Sequence, residues 1–209
     1  MDKNKTNSYQ PISLPFKKKI SDKSIIIKSE DLLLKMKSRH TIRDFSDRLV
    51  PYYIIENCIK VACSAPSGAN LQPWHFVVIS DPNIKSKIRI AAENEEKKFY
   101  NDIKKDEWLK ALEPIGTNPD KPHLEIAPWL IVVFLERYSE LSDGSKRKNY
   151  YVPESVGIAT GFLISALHFS GLSCLTHTPN PMGFLNKICD RPMSNKASLI
   201  LAVGHPAEN

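Results

Sequence analysis

Two spacings of apolar residues alternate along the chain. Residues three and four apart mark helices with one buried stripe, and short continuous runs mark buried strands. After a polar stretch over 1–22, Leu32, Leu33 and Met36 give the first helical face, with Ser29 able to cap it and Glu30 and Asp31 in its first turn. RHTIRDFS (39–46) breaks the period and reads as a turn with short extended pieces. Ile54, Ile55, Cys58, Ile59 and Ala62 predict a second helix, opened by Pro51 and ended before Pro66. WHFVVIS (74–80) reads as a strand buried on both faces, and Asp81-Pro82 then starts a long polar helix to about Tyr100. A short helix near Trp108, a Gly/Pro/Asn loop over 116–122 and a second strand over 128–135 follow, then a charged loop over 139–149. Val156, Ala159, Leu163, Ala166 and Leu167 predict a helix over 153–170, stopped by Gly171. A strand over 173–178, a short helix over 181–189 and a last strand over 197–204 complete the pattern.

This order fits one α+β or α/β domain with a mixed sheet and helices on its faces. A length of 209 residues suits a single core. The expected organisation is a flexible basic arm over 1–25 and one domain over 26–209, without an internal repeat. The net charge of +6 does not change that picture: the first 38 residues hold nine Lys against four acidic groups, so the body is nearly neutral. No nucleic-acid footprint is expected on it, and Lys17-Lys18-Lys19 reads as part of a solvated tail. The apolar run over 129–135 is too short to span a bilayer, and MDKNKTNSYQ has no leader-like apolar region. No membrane span is therefore expected. Four cysteines in apolar segments, at no metal-ligand spacing, suggest a soluble protein in the reducing cytoplasm and no metal site.

The chain has no GxGxxG, Walker A, HExxH or GxSxG motif, and its six His residues are scattered. Three constellations remain. Arg39-His40-Thr41-Ile42-Arg43 can grip a phosphate through forked, charge-assisted hydrogen bonds. Taken alone, it fits a helix C-terminus with surface arginines better. The loop PSGANLQPW (66–74) is small and amide-rich, suited to close approach of a planar ligand. Its Ser67-Gly68 lacks the His/Asp pattern of a nucleophile turn. Thr176-His177-Thr178-Pro179 ends a strand, where ligands often sit, although Thr is also ordinary at edges.

Taken in order, SRHTIRDFS (38–46), APSGANLQPWHFVVISDP (65–82), TNPDKPHLEIAPWLIVVF (117–134), NYYVPESVGIA (149–159) and LTHTP (175–179) resemble the FMN-dependent nitroreductase-fold family, specifically its iodotyrosine deiodinase branch. The resemblance covers about residues 30–206. It implies an α+β (α/β sandwich) fold and a homodimer with two FMN sites at the subunit interface. Arg39, His40, Thr41, Ile42 and Arg43 would hold the phosphate and ribityl end, with His40 where the family usually has Arg. Ser67 and Gly68 would line the flavin from its other side. Thr176, His177 and Thr178 would approach the ring, and the Thr178 hydroxyl would donate to flavin N5, favouring stepwise electron transfer.

For substrate, the resemblance implies a clamp on the amino-acid end of a halotyrosine. Glu96 would pair the ammonium, Lys121 the carboxylate, and Tyr100 would hydrogen-bond the carboxylate. The Ala69 amide would bind the phenolate and support the keto tautomer, and the clamp segment would close as a lid. The implied reaction is reductive dehalogenation to tyrosine plus halide, with electrons from NAD(P)H, NADPH included, or an external reductase. Family members usually continue past the last strand with a basic tail that adds a phosphate contact. The end at Asn209 leads to an expectation of weaker FMN binding or dimerisation, and the vertebrate membrane anchor is not expected. The alternatives are a general FMN-dependent nitro or quinone reductase, a flavin-destructase, and a non-catalytic halotyrosine-binding regulatory protein.

Overall fold

The computed structural model describes residues 10–13, 19–101, 106–112, 114 and 116–208. Much of the expected arm, including Lys17 and Lys18, lies outside the described residues. The chain divides into two compact units, Met1–Ser38 and Arg39–Asn209. The first unit holds α1 (Asp22–Lys37). Its cap is Ser21, which accepts from the Ser24 amide, and not Ser29. Ser29 lies inside the helix and donates to the Ile26 carbonyl at 2.7 Å, a back-bond that a mid-helix serine can make without ending the helix.

The second unit comprises α2 (Tyr52–Cys63), β1 (Trp74–Ile79), α3 (Pro82–Tyr100), α4 (Asp106–Leu112), α5 (His123–Ile126), β2 (Trp129–Glu136), β3 (Tyr138–Glu140), β4 (Lys146–Lys148), α6 (Val152–Phe169), β5 (Ser173–His177), α7 (Phe184–Ile188) and β6 (Asn195–Gly204). The main sheet has the order β1-β2-β6-β5, with every named pair antiparallel. One parallel bridge, Thr41 to Cys174, sets the segment before α2 beside β5 and gives the sheet its mixed character.

Alternation along the central strands sorts the core onto two faces. Val132, Phe134 and Ile200 join Ile88 of α3, Leu124 of α5 and Leu185 of α7. Ile131 and Leu201 join Ile55 and Cys58 of α2 and Leu163 and Leu167 of α6. By length and composition α6 is apolar enough to cross a membrane, yet its stripe is spent on this core. α3 begins where the sequence predicts, because the Asp81 carboxylate accepts from the Asn83 and Ile84 amides at 2.8 and 3.0 Å.

Two further expectations need correction, and one short helix left no pattern to read. β1 is an edge strand whose middle four residues are only half-buried, so burial on both faces belongs to β2 instead. The segment 139–149 is largely a hairpin, β3 paired with β4, whose exposed Lys146, Arg147 and Lys148 leave no apolar alternation to read. The short α5 follows Pro122 and is too brief to carry a period.

Gly204 ends β6 beneath Pro128. A Cβ there would lie 2.6 Å from Pro128 Cδ and 3.3 Å from Phe45 Cδ1. Replacement by alanine therefore forces the β6 end away from the α5–β2 connection. Gly204→Ala is expected to cost about 1–3 kcal/mol, read as a lower urea midpoint at unchanged slope.

Candidate functional site

A cavity of about 310 Å³ opens at the C-terminal end of β5, walled by the end of α3, by α4 and by the 117–121 loop. α3 supplies Glu96 and Tyr100, one turn apart on one face. The loop supplies Lys121, whose residue is only 6% exposed. Its Nζ lies 3.4 Å from Glu96 Oε2, donates to the Asn118 carbonyl, and stands 5.7 Å from the centre of the Tyr100 ring. The Tyr100 hydroxyl donates to Thr117 Oγ1 at 3.0 Å. Phe99 and Trp108 meet edge to face at 5.4 Å beside this group, adding an aromatic wall. The sequence-predicted trio Glu96, Tyr100 and Lys121 is thus brought together.

A second network fixes the loop that carries Lys121. Its backbone amide donates to Glu93 Oε1 at 2.8 Å, and Arg89 Nε donates to the same oxygen at 2.7 Å. Arg89 also reaches Glu125 Oε2 at 3.0 Å. Burial pushes the Glu93 carboxyl up, but these hydrogen bonds outweigh it and hold it below its ordinary range.

The Thr41–Cys174 bridge lays the arginine segment along β5. Arg43 reaches the cavity wall with Thr176, His177 and Thr178. Arg39 is half-buried, and its charge partly offsets the burial that raises the Cys174 thiol. Neither guanidinium has an ion-pair partner among the described residues. His40 and Thr41 are exposed, whereas Ile42 packs against the core cluster that contains Phe45.

Ser67, Gly68 and Ala69 lie outside the wall of that cavity, and Gly68 packs against the start of α6. The Gly68 amide donates to Ser155 Oγ at 3.2 Å, and the Ser155 hydroxyl donates to the Tyr151 carbonyl at 2.6 Å. Ser67 Oγ accepts from the Gln72 amide at 2.9 Å. A Cβ on Gly68 would lie 3.0 Å from Tyr151 Cδ2 and 3.1 Å from the Tyr150 carbonyl, a tight fit that would press on the start of α6. Ala69 follows in the left-handed region with φ at 50°. The turn is thus tied to the start of α6 through Gly68, with Ala69 exposed.

Sequence reasoning missed the histidine pair. Along β5, Thr176 is exposed while His177 turns inward. His177 stands edge-on to His123 at 5.8 Å, and both Nε2 atoms are buried without a hydrogen-bond partner. Burial, then His123 and Lys121, push His177 down to about 3; burial, then Lys121 and Arg43, push His123 down to about 4. His123 gave no signal because it sits in a four-residue helix. All four cysteines are free thiols, and burial raises Cys58, Cys174 and, to about 11, Cys189.

These residues fit an FMN. Two guanidinium groups without an ion-pair partner among the described residues suit its phosphate, and strand-end hydroxyls suit its ring. The sequence profile of the nitroreductase family matches residues 36–205. An iodotyrosine deiodinase of Haliscomenobacter hydrossis is 55% identical over 184 residues, covering 88% of this chain and 83% of that protein. Another from Hydra vulgaris is 38% identical over 190 residues, covering 90% and 70%. The fold also matches a crystal structure of oxidized iodotyrosine deiodinase bound to FMN and 3-iodo-L-tyrosine. The TM-score there is 0.74 at 34% identity, over 85% of this chain and 90% of that one. Fold and site thus define an FMN-dependent oxidoreductase scaffold. The chain belongs to the nitroreductase family, within its iodotyrosine deiodinase branch.

The buried histidines set an acid limit on stability. Unfolding restores an imidazole to about 6.5, so below that pH the unfolded chain binds protons that the folded chain refuses. Stability contributed by these neutral rings is present above about pH 6.5 and falls as pH drops toward about 4. The slope is at most about 1.4 kcal/mol per pH unit per histidine. Urea midpoints between pH 7 and 4.5 are expected to fall more steeply for the natural chain than for a His123→Gln/His177→Gln variant.

Proposed function

We infer that this chain is an FMN-dependent reductive dehalogenase of halotyrosines, converting iodotyrosine to tyrosine and iodide. The observation that carries this reading is the convergence of Glu96, Tyr100 and Lys121 on one cavity beside the Arg43 and Thr176–Thr178 wall. An anion, a cation and a phenol at one end of a pocket match the ammonium and carboxylate of a free amino acid. Glu96 takes the ammonium, Lys121 and Tyr100 the carboxylate, and the aromatic wall lies beside the ring. When bound, FMN supplies the electrons. Arg39 and Arg43 would hold its phosphate with His40 and Thr41 beside them, and the Thr178 hydroxyl would donate at the ring, which would favour single-electron delivery.

The Ser67–Ala69 turn lies outside the cavity of its own subunit. In a homodimer the partner copy's turn would complete the site, with Ser67 and Gly68 on the flavin and the Ala69 amide on the phenolate. The outward side of α6 supports such pairing. It exposes Ile158, Phe162 and Phe169, and a Cβ on Gly157 or Gly161 would meet nothing within 4 Å, leaving room for a second helix to come close. NAD(P)H or an external reductase supplies the electrons in this reading, and free thiols suit a reducing cytoplasm.

The test is titration of the FMN-loaded protein with 3-iodotyrosine, followed by flavin fluorescence, and then iodide release under a chemical reductant. Strong quenching and stoichiometric iodide are expected. Bound flavin without either response would assign a general nitro or quinone reductase, and binding without iodide release would assign a halotyrosine-binding protein. Lys121→Ala is expected to weaken 3-iodotyrosine binding about tenfold or more at unchanged FMN content. Phe162→Glu is expected to convert the dimer to monomer in light scattering and to lower FMN affinity with it.

A further inference from the structure

The halotyrosine reading leaves one buried group at the site without a task. We propose that His177 is a positioning residue for substrate recognition, its ring nitrogen holding the Glu96 carboxylate from behind so that Glu96 meets an α-ammonium group in one orientation. This inference rests on the halotyrosine reading.

Glu96 has one partner on each oxygen. Oε2 faces Lys121 Nζ at 3.4 Å, and Oε1 faces His177 Nε2 at 4.0 Å. The His177 side chain is nine-tenths buried, and its Nε2 has no hydrogen-bond partner. A shift of Glu96 by about 1 Å would close a normal N–H···O bond. His177 comes from β5, Glu96 from α3, Lys121 from the loop before α5 and His123 from α5. Arg43 lines the same cavity from the segment beside β5. His177 is the member of this group with an unused nitrogen aimed at a clamp carboxylate. His123 stands edge-on to it and braces the ring.

The charge state favours this role. Burial first, with the Lys121 charge beside it, keeps His177 neutral at pH 7. A neutral imidazole donates a hydrogen bond without cancelling the carboxylate's charge, which stays available to an incoming ammonium. A protonated ring would compete with that ammonium. The consequence is selective: ligands that carry the α-amino group depend on His177, and phenols without it do not.

The experiment compares 3-iodotyrosine with 2-iodophenol on the FMN-loaded protein, by fluorescence titration and iodide release, in the natural chain, His177→Phe and His177→Gln. The phenylalanine variant fills the space without a donor, and its preference for 3-iodotyrosine over 2-iodophenol is expected to fall about tenfold. The glutamine variant keeps a donor and is expected to recover most of that preference. In a Glu96→Gln background the His177→Phe effect is expected to vanish, as coupled partners require. His177→Leu reads the same quantity if the larger ring prevents folding. Equal losses for both ligands, or an undiminished effect without Glu96, would overturn the proposal and leave the dehalogenase reading standing. Failure of the natural chain to bind 3-iodotyrosine would overturn both.

Discussion

The pairing of β2 with β6 is the constraint on which the site depends. Both strands run through the dry middle of the molecule, where every amide and carbonyl must find a partner. They find each other, antiparallel from Trp129 opposite Val203 to Glu136 opposite Asn195, with one irregularity between Val133 and Phe134. β5 then pairs with β6 so that Thr176 faces Leu201 and His177 faces Ile200. A slip of one residue would exchange these faces, turning the hydroxyls inward and the imidazole out. The place of the cavity is therefore a consequence of strand register, which the hydrophobic core enforces on both sides.

Around the cavity, the two buried clamp charges, Lys121 and Glu96, answer each other, while Arg43 on the wall has no ion-pair partner among the described residues. A buried ion pair adds little stability by itself, because desolvation consumes most of the attraction. Lys121 and Glu96 are better understood as mutually held in readiness. Arg89, Glu93 and Glu125 anchor the Lys121 backbone, so the side chain is placed by a network that does not include the cavity. In the proposed reading, a zwitterion entering the site would exchange an internal contact for two external ones, with little of the wall left to order on arrival.

Much of this was legible in the sequence, for reasons that differ between segments. The faces of α2 and α6 and the cap of α3 follow from apolar spacing and from Asp81-Pro82. Glu96 and Tyr100 were singled out by resemblance, and their helical spacing agrees with it by placing them on one face. Lys121 was placed by resemblance alone, since its loop has no period. The edge position of β1 was not readable, because apolar composition does not report which neighbour a strand has. The β3–β4 hairpin was hidden by its exposed charges. The left-handed Ala69 was hidden because alanine carries no mark of positive φ. His123 and His177 were invisible as a pair, since residues 54 positions apart meet only through the fold.

The raised thiols bear on durability. Redox chemistry in air leaves peroxide close at hand, and thiolates are the protein groups it attacks first. Cys174 lies two residues before Thr176 on the strand that ends in the cavity, yet burial keeps it protonated. Cys58 and Cys189 are shielded in the same way. The packing that forms the core thus also slows oxidative ageing of the strand that ends at the site.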